Sequence, residues 1–447
     1  MVSLPILPLR GAGASGRYHI CFADMIPYFE RGEETNMKLL IVYQYFLSQT
    51  QGGVSRFNRL TQLFARRGAG CTIICSRYTQ HGEPAGSDEA PPGPASGGIH
   101  IRRISSFRGK RGNIFSRLAS YCSFGVRSFF AALHERDADA ILLSSPPLSL
   151  AGTAILLKHV LHRPLVLDLR DLWPENAIDL GLLRSRPLIW LSRRLEKRAY
   201  RAADLIAVVT PAYRDYLLKL GVAEEKIRYF PNSPDKLLVT LTQEPAQIRN
   251  DLGIPGKFVI GYFGNHGYAA KLTQILDVAR LLKGDPDFFF LFAGSGFDRE
   301  NLIRSAEEQG LTNVLFLPNC SLPEACELIR SCDVCVASLL RAESMKLVYP
   351  SKIFEYMSFA KPILHTVDGI CRELIDRADC GFYCEPERPE QLAKKIRWLR
   401  AHPDEAKRLG QNGCEYADRH FNSERIAADY LEAIEELAAS SAKRRKQ

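Results

Sequence analysis

From residue 37 onward the chain repeats one pattern, a short apolar run followed by enough sequence for a helix, and this alternation constrains its fold more than any other feature. Runs at 39–43, 71–75, 141–144, 165–169 and 205–209 form one series; those at 258–263, 288–293, 314–317, 334–337 and 362–365 form a second. Short runs that stay apolar throughout suit buried strands, and strands alternating with helices are the signature of βαβ units on a parallel sheet. Between the series, residues 228–235 read RYFPNSPD, where Pro and Asn favour turns, and a polar connection follows. The expected fold class is α/β, with two Rossmann-like, doubly wound domains over 37–235 and 251–421 joined by a linker at 236–250. Ile426, Tyr430, Leu431, Ile434 and Leu437 recur at helical spacing and predict an amphipathic helix over 422–438, docked on the body. Residues 439–447 read as a frayed basic tail, and residues 1–36, without sustained periodicity, as an N-terminal extension with Met37 as an alternative start.

A chain of 447 residues exceeds one ordinary hydrophobic core, and its 46% hydrophobic and 24% charged residues are typical of folded proteins. Twelve cysteines scattered through a chain without a secretory signal pattern read as reduced thiols. Cys332 and Cys335 have zinc-like spacing, but in an extended run side chains three apart point to opposite faces. The longest apolar region, 140–161, is interrupted by Pro146 and Pro147 and carries Lys158 and His159, so no transmembrane helix is expected. The net charge of +9 is uneven: residues 101–130 hold seven Lys or Arg and no acid.

Two motifs mislead. Residues 11–16 match GxGxxG literally but lack the flanking strand and helix that would aim amides at a pyrophosphate. The triplets at Asp137 and Asp139 and at Asp285 and Asp287 each precede a strand, whereas ligands of open α/β sheets lie beyond the carboxyl ends; they read as solvated turns, and no metal site or cofactor is expected.

Residues 348–363, VYPSKIFEYMSFAKPI, follow the strand at 334–337. Taken alone, Lys352 and Glu355 fit an exposed ion pair on a helix's first turn. The run resembles the donor-binding segment of the retaining family-four glycosyltransferases of GT-B fold, in which two Rossmann-like domains face a central cleft, and especially the subgroup similar to the fucosamine transferases of O-antigen assembly. The resemblance implies that Glu355 accepts hydrogen bonds from a nucleotide ribose, while Ser351 and Lys352 open a helix whose N-terminus faces the diphosphate. Family members carry a further glutamate eight positions earlier, where this chain has Leu347. Gly264, Asn265 and Lys271 stand in the loop after the second domain's first strand, with Lys271 either a phosphate ligand or a solvated residue. Gly294 and Gly296 resemble the turn beside the nucleotide base and would also suit a plain β-turn. Gly52 and Gly53 resemble the family's glycine loop, or form an ordinary βα turn.

Arg170, Asp171 and Glu175 follow the strand at 165–169 at its carboxyl end, where chemistry is expected in open α/β sheets, and are the candidates for catalysis through acceptor or donor-sugar contacts. The family's histidine after the fourth strand is replaced by the stretch from Ser144 to Pro147. The implied function is transfer of a sugar from a nucleotide-sugar donor to a polyprenyl-diphosphate-linked glycan of cell-surface polysaccharide. A nucleotide-sugar epimerase of the same fold and a catalytically silent binding partner are the alternatives. The protein is expected to be cytoplasmic and peripheral to the inner membrane, the basic and aromatic stretch 101–130 meeting an anionic lipid surface. The aromatics could instead form the inner face of a helix, and nucleic acid is not an expected partner.

Overall fold

The computed structural model describes residues 35–46, 56–79, 84–85, 98–108, 114–234 and 241–446. Gly52, Gly53, the 11–16 glycine motif with most of the 1–36 extension, residues 236–240 of the expected linker, and Lys110 and Arg111 lie outside the described residues.

The first sheet contains β1 (Lys38–Val42), β2 (Gly70–Ser76), β3 (Ile99–Ile104), β4 (Ala140–Ser145), β5 (Leu165–Leu169), β6 (Leu205–Val208) and β7 (Ile227–Tyr229). Its helices are α1 (Arg56–Arg66), α2 (Ile114–Ala132), α3 (Leu150–Leu161), α4 (Glu175–Asp179), α5 (Arg186–Ala202) and α6 (Pro211–Lys219). The order is β3-β2-β1-β4-β5-β6-β7, with every pair parallel. Successive residues of β1 serve opposite faces: Leu40 and Val42 pack toward α2, α3, α5 and α6, while Leu39 and Ile41 pack toward α1. Coverage on both faces is why the strand reads as an uninterrupted apolar run.

The second sheet contains β8 (Phe258–Phe263), β9 (Phe288–Ala293), β10 (Val314–Leu317), β11 (Val334–Ala337), β12 (Ile363–His365) and β13 (Gly381–Tyr383), in the order β10-β9-β8-β11-β12-β13. Around it lie α7 (Pro245–Asp251), α8 (Thr273–Leu281), α9 (Arg299–Glu308), α10 (Leu322–Arg330), α11 (Lys352–Ser358), α12 (Ile370–Ala378), α13 (Pro389–Ala401) and α14 (Pro403–His420). Val259 and Phe263 face a core with α7, α10, α11, α12 and α14; Ile260 and Tyr262 face one with α8, α9 and α13. Both strand orders reverse beside their first strand, and such switch points bind ligands beyond the carboxyl strand ends.

Three sequence expectations are corrected or refined. The expected linker ends in α7, which starts with Pro245 at its first turn and buries Ile248 in the second domain's core, so 245–250 belong to that domain. The crossing helix α15 (Ser423–Lys446) is longer than 422–438: residues 439–446 are not a frayed tail but its last turns, where basic side chains suit the helix C-terminus. It packs on the first domain through Ile426, Ala427, Tyr430, Leu431 and Ile434, completing the core beneath α1. Residues 101–104 are part of β3 rather than a surface segment, with Arg103 buried and donating to the Phe46 carbonyl at 3.0 Å. Among the described residues no helix is long and apolar enough to cross a membrane.

Candidate functional site

In the second domain, the loops after β8 and β9 touch backbone to backbone. Gly264 and Gly294 have φ of +126° and +141°, in the region that favours glycine, and a Cβ on Gly294 would collide with the Gly264 carbonyl. A Cβ on Gly296 would likewise collide with His266. Asn265 is exposed, and its carbonyl accepts the Tyr262 hydroxyl at 2.9 Å.

Lys352 lies against this pair of loops, its Nζ 3.7 Å from the centre of the Tyr262 ring and within ordinary contact of where a Cβ on Gly264 would stand, at 3.6 Å. Burial pulls the Lys352 ammonium from 10.5 down to about 7. Glu355, one turn further along α11, is half-buried with Oε2 out of contact with solvent, whereas Ser351 is exposed. The turn carrying these groups is tied to the sheet because Tyr356, also buried, accepts the Phe263 amide through its hydroxyl at 3.0 Å. Sequence reasoning missed Tyr356 as a positioning residue, although it adjoins Glu355.

Lys271 has a left-handed backbone, φ +46°, and pairs with Glu387 at 3.9 Å on the rim of the same strand ends. His266, also unassigned from sequence, is fully buried among Tyr262, Phe292 and Phe316. Burial, then the nearby Lys352 and Arg299 charges, lower its imidazole to about 4.

In the first domain, Arg170 donates to the Tyr43 hydroxyl at 2.7 Å, linking the carboxyl ends of β5 and β1. Burial pushes the Asp171 carboxyl up to about 6, against the pull of Arg170. Glu175 is turned toward α5 and forms a two-bond pair with Arg193 at 2.9 and 3.1 Å. The structure thus brings Arg170 and Asp171 together and gives Glu175 a different neighbour. Ser144 is buried.

The two halves meet beside these groups. Asp179 on α4 accepts the Ser344 amide at 2.7 Å, and Leu347 packs against the first domain's core. The aspartate triplets lie at the opposite strand ends. Asp137 pairs with Lys38, Asp139 accepts the Lys38 amide at 2.9 Å, and Asp287 pairs with Arg400.

Residues 51–233 match the glycosyl transferase 4-like domain and residues 245–416 match the glycosyl transferases group 1 family. WcaI of Escherichia coli strain K12, named for colanic acid biosynthesis, is 24% identical over 76% of this chain and 84% of its own length. The glycosyltransferase WbjE of Pseudomonas aeruginosa is 26% identical over 80% of this chain and 88% of its own. Among solved structures, Anabaena HepE in complex with UDP-glucose superposes with a TM-score of 0.67 at 18% identity, covering 90% of this chain and 100% of HepE. The two matched domains, on two parallel sheets of the observed order, place this chain among the family-four glycosyltransferases of GT-B fold.

Proposed function

We propose that this protein transfers a sugar, with retention of configuration and without a metal, from a nucleotide-sugar donor to a polyprenyl-diphosphate-linked glycan in cell-surface polysaccharide biosynthesis. The observation that carries the reading is the half-buried Lys352 amine over Tyr262, beside Gly264 and one turn from Glu355, at the carboxyl ends of β8 and β11. A partly buried amine held in place by the Tyr262 ring meets the charge that develops on a leaving diphosphate at little reorganisation cost. Glu355 holds the ribose, Ser351 and Lys271 assist at the phosphates, and the turns of Gly264, Asn265, Gly294 and Gly296 border the nucleotide.

Arg170 and Asp171 orient the acceptor hydroxyl, and Glu175 is held for that surface by Arg193. As the acceptor oxygen bonds to the anomeric carbon, the bond to the phosphate oxygen breaks on the same face of the sugar, the acceptor's hydroxyl proton passes to that departing oxygen, and the nucleoside diphosphate leaves. HepE's complex with UDP-glucose supports the donor class, and the name of WcaI, for colanic acid biosynthesis, supports the product class. The protein works on the cytoplasmic side, peripheral to an anionic membrane. Incubation with a panel of nucleotide sugars and a membrane extract, read by nucleotide release and product mass, tests this: a lipid-extractable glycosylated product is expected, and donor turnover without any would sink the lipid-linked acceptor.

A further inference from the structure

We propose that α5 is the element that docks this protein on an anionic bilayer, its first two turns sinking Leu188, Trp190 and Leu191 into the headgroup region while its basic residues meet lipid phosphates. The proposal rests on the lipid-linked acceptor argued above and moves the contact surface away from the stretch 101–130. Scattered exposed apolar side chains are ordinary, but these three lie within one helical turn and are 48%, 61% and 55% exposed. Tryptophan, with an apolar body and a polar N–H, favours the level where headgroups meet hydrocarbon.

The charge on α5 is one-sided. An open groove along the helix is lined by Arg186, Arg193, Arg194, Lys197, Arg198 and Arg201 beside Trp190. Its only acid, Glu196, is buried and accepts the Tyr200 hydroxyl at 2.8 Å, and burial raises its carboxyl to about 7. Arg194 stacks on the Trp190 ring at 5.3 Å, so cation and aromatic are presented together. An amphipathic helix with aromatic and basic residues and no exposed carboxylate is complementary to an anionic lipid surface.

Position supports the same occupant. The apolar turns lie at the beginning of α5, immediately before Arg193, which holds Glu175 of α4. Residues of α4 follow β5 and touch the second domain through Asp179 and Ser344. A bilayer against this end of α5 would deliver a lipid-borne acceptor close to Arg170 and Asp171. In 101–130 the exposed apolar residues Phe107, Leu118, Val126 and Phe130 are spread along the sequence, while Arg103 and Phe124 are buried and Arg127 donates to the Ser105 carbonyl at 3.3 Å.

The test is co-sedimentation of the full chain with vesicles of phosphatidylethanolamine and phosphatidylglycerol, and with phosphatidylcholine vesicles. Wild type should bind the anionic vesicles only. R194E/K197E/R198E should bind at least about tenfold more weakly, given what each basic residue contributes near such a surface, and W190A/L191A should also lose binding; both should retain donor affinity by calorimetry and the wild-type circular dichroism. Bromine-labelled lipid should quench the wild type in excess of W190F. Undiminished binding by either variant, absence of that excess quenching, or preferential capture of RNA over anionic vesicles would overturn the proposal. Sugar transfer to a soluble acceptor without vesicle binding would overturn docking alone, whereas α5-dependent vesicle binding without donor use would overturn the functional reading and leave docking standing.

Discussion

The Thr210 hydroxyl donates to the Leu347 carbonyl at 3.0 Å, joining the first turn of a helix in one domain to the loop that precedes α11 in the other. The same oxygen accepts the Tyr213 amide at 3.2 Å and caps α6, so one side chain serves both a helix and the domain contact. Thr210→Ala should destabilise the protein by about 1–2 kcal/mol from the cap and the lost bond, with Thr210→Ser restoring most of it. Denaturant unfolding followed by circular dichroism measures both.

Leu347 occupies the position where family members carry a glutamate, and its side chain packs on apolar residues of the first domain. Leu347→Glu should therefore lower the melting temperature, with a carboxylate partly desolvated at a cost of about 1–3 kcal/mol, and should not raise turnover. A faster, equally stable variant would assign that position to the donor sugar.

Lys352 should make donor binding proton-linked. With its folded value near 7, the amine is largely neutral at pH 8, whereas a diphosphate beside it favours the ammonium. Binding at pH 8 should take up close to one proton, measurable by titration calorimetry in buffers of different ionisation enthalpy, and Lys352→Met should abolish the uptake. The unfolded chain binds more protons at this residue between about 7 and its ordinary 10.5, so its contribution makes stability rise with pH through that window. Lys352→Met should flatten that rise.

Glu355→Ala should weaken donor affinity by about 10–150-fold, the loss of a hydrogen bond to a charged group, while the fold survives. Calorimetry at fixed pH decides this, and unchanged affinity would remove the ribose assignment. Turnover of the wild type should persist in excess chelator; loss on chelation with recovery on added magnesium or manganese would reverse the metal-free reading.

Asp171 should set the acid limb of activity. Burial raises its carboxyl from 3.8 to about 6, so the carboxylate proposed to orient the acceptor is lost as pH falls through about 6. The folded state binds more protons there than the unfolded chain between about 3.8 and 6, so this group's contribution to stability falls as pH rises across that interval. The pH profile of kcat/KM should lose its acid limb in Asp171→Asn, at reduced activity throughout.

The central strands were legible because cover on both faces demands apolar residues at every position, as in the LLIV of β1. β3 was not, since its IHIRRI pattern mixes charge with apolar residues at the sheet edge and Arg103 satisfies itself on the Phe46 carbonyl. Lys352 and Glu355 could be seen together because a single helical turn joins them. Lys352 over Tyr262 and Arg170 on Tyr43 could not: the partners are remote in sequence, 127 residues apart in the second case, and meet only when the parallel strands stand side by side.

The docking of α15 has a consequence for how the polypeptide matures on the ribosome. Tyr430 stacks on Phe230 with ring centres 4.3 Å apart and donates to Asp168 at 3.0 Å, where Arg56 also pairs at 3.2 Å. Until the last helix has been synthesised, the first domain to emerge therefore lacks one wall, and a buried carboxylate awaits one of its donors. The domain made second can close before the domain made first, so a chain released at residue 422 should carry a protease-sensitive amino-terminal half beside a resistant carboxyl-terminal one.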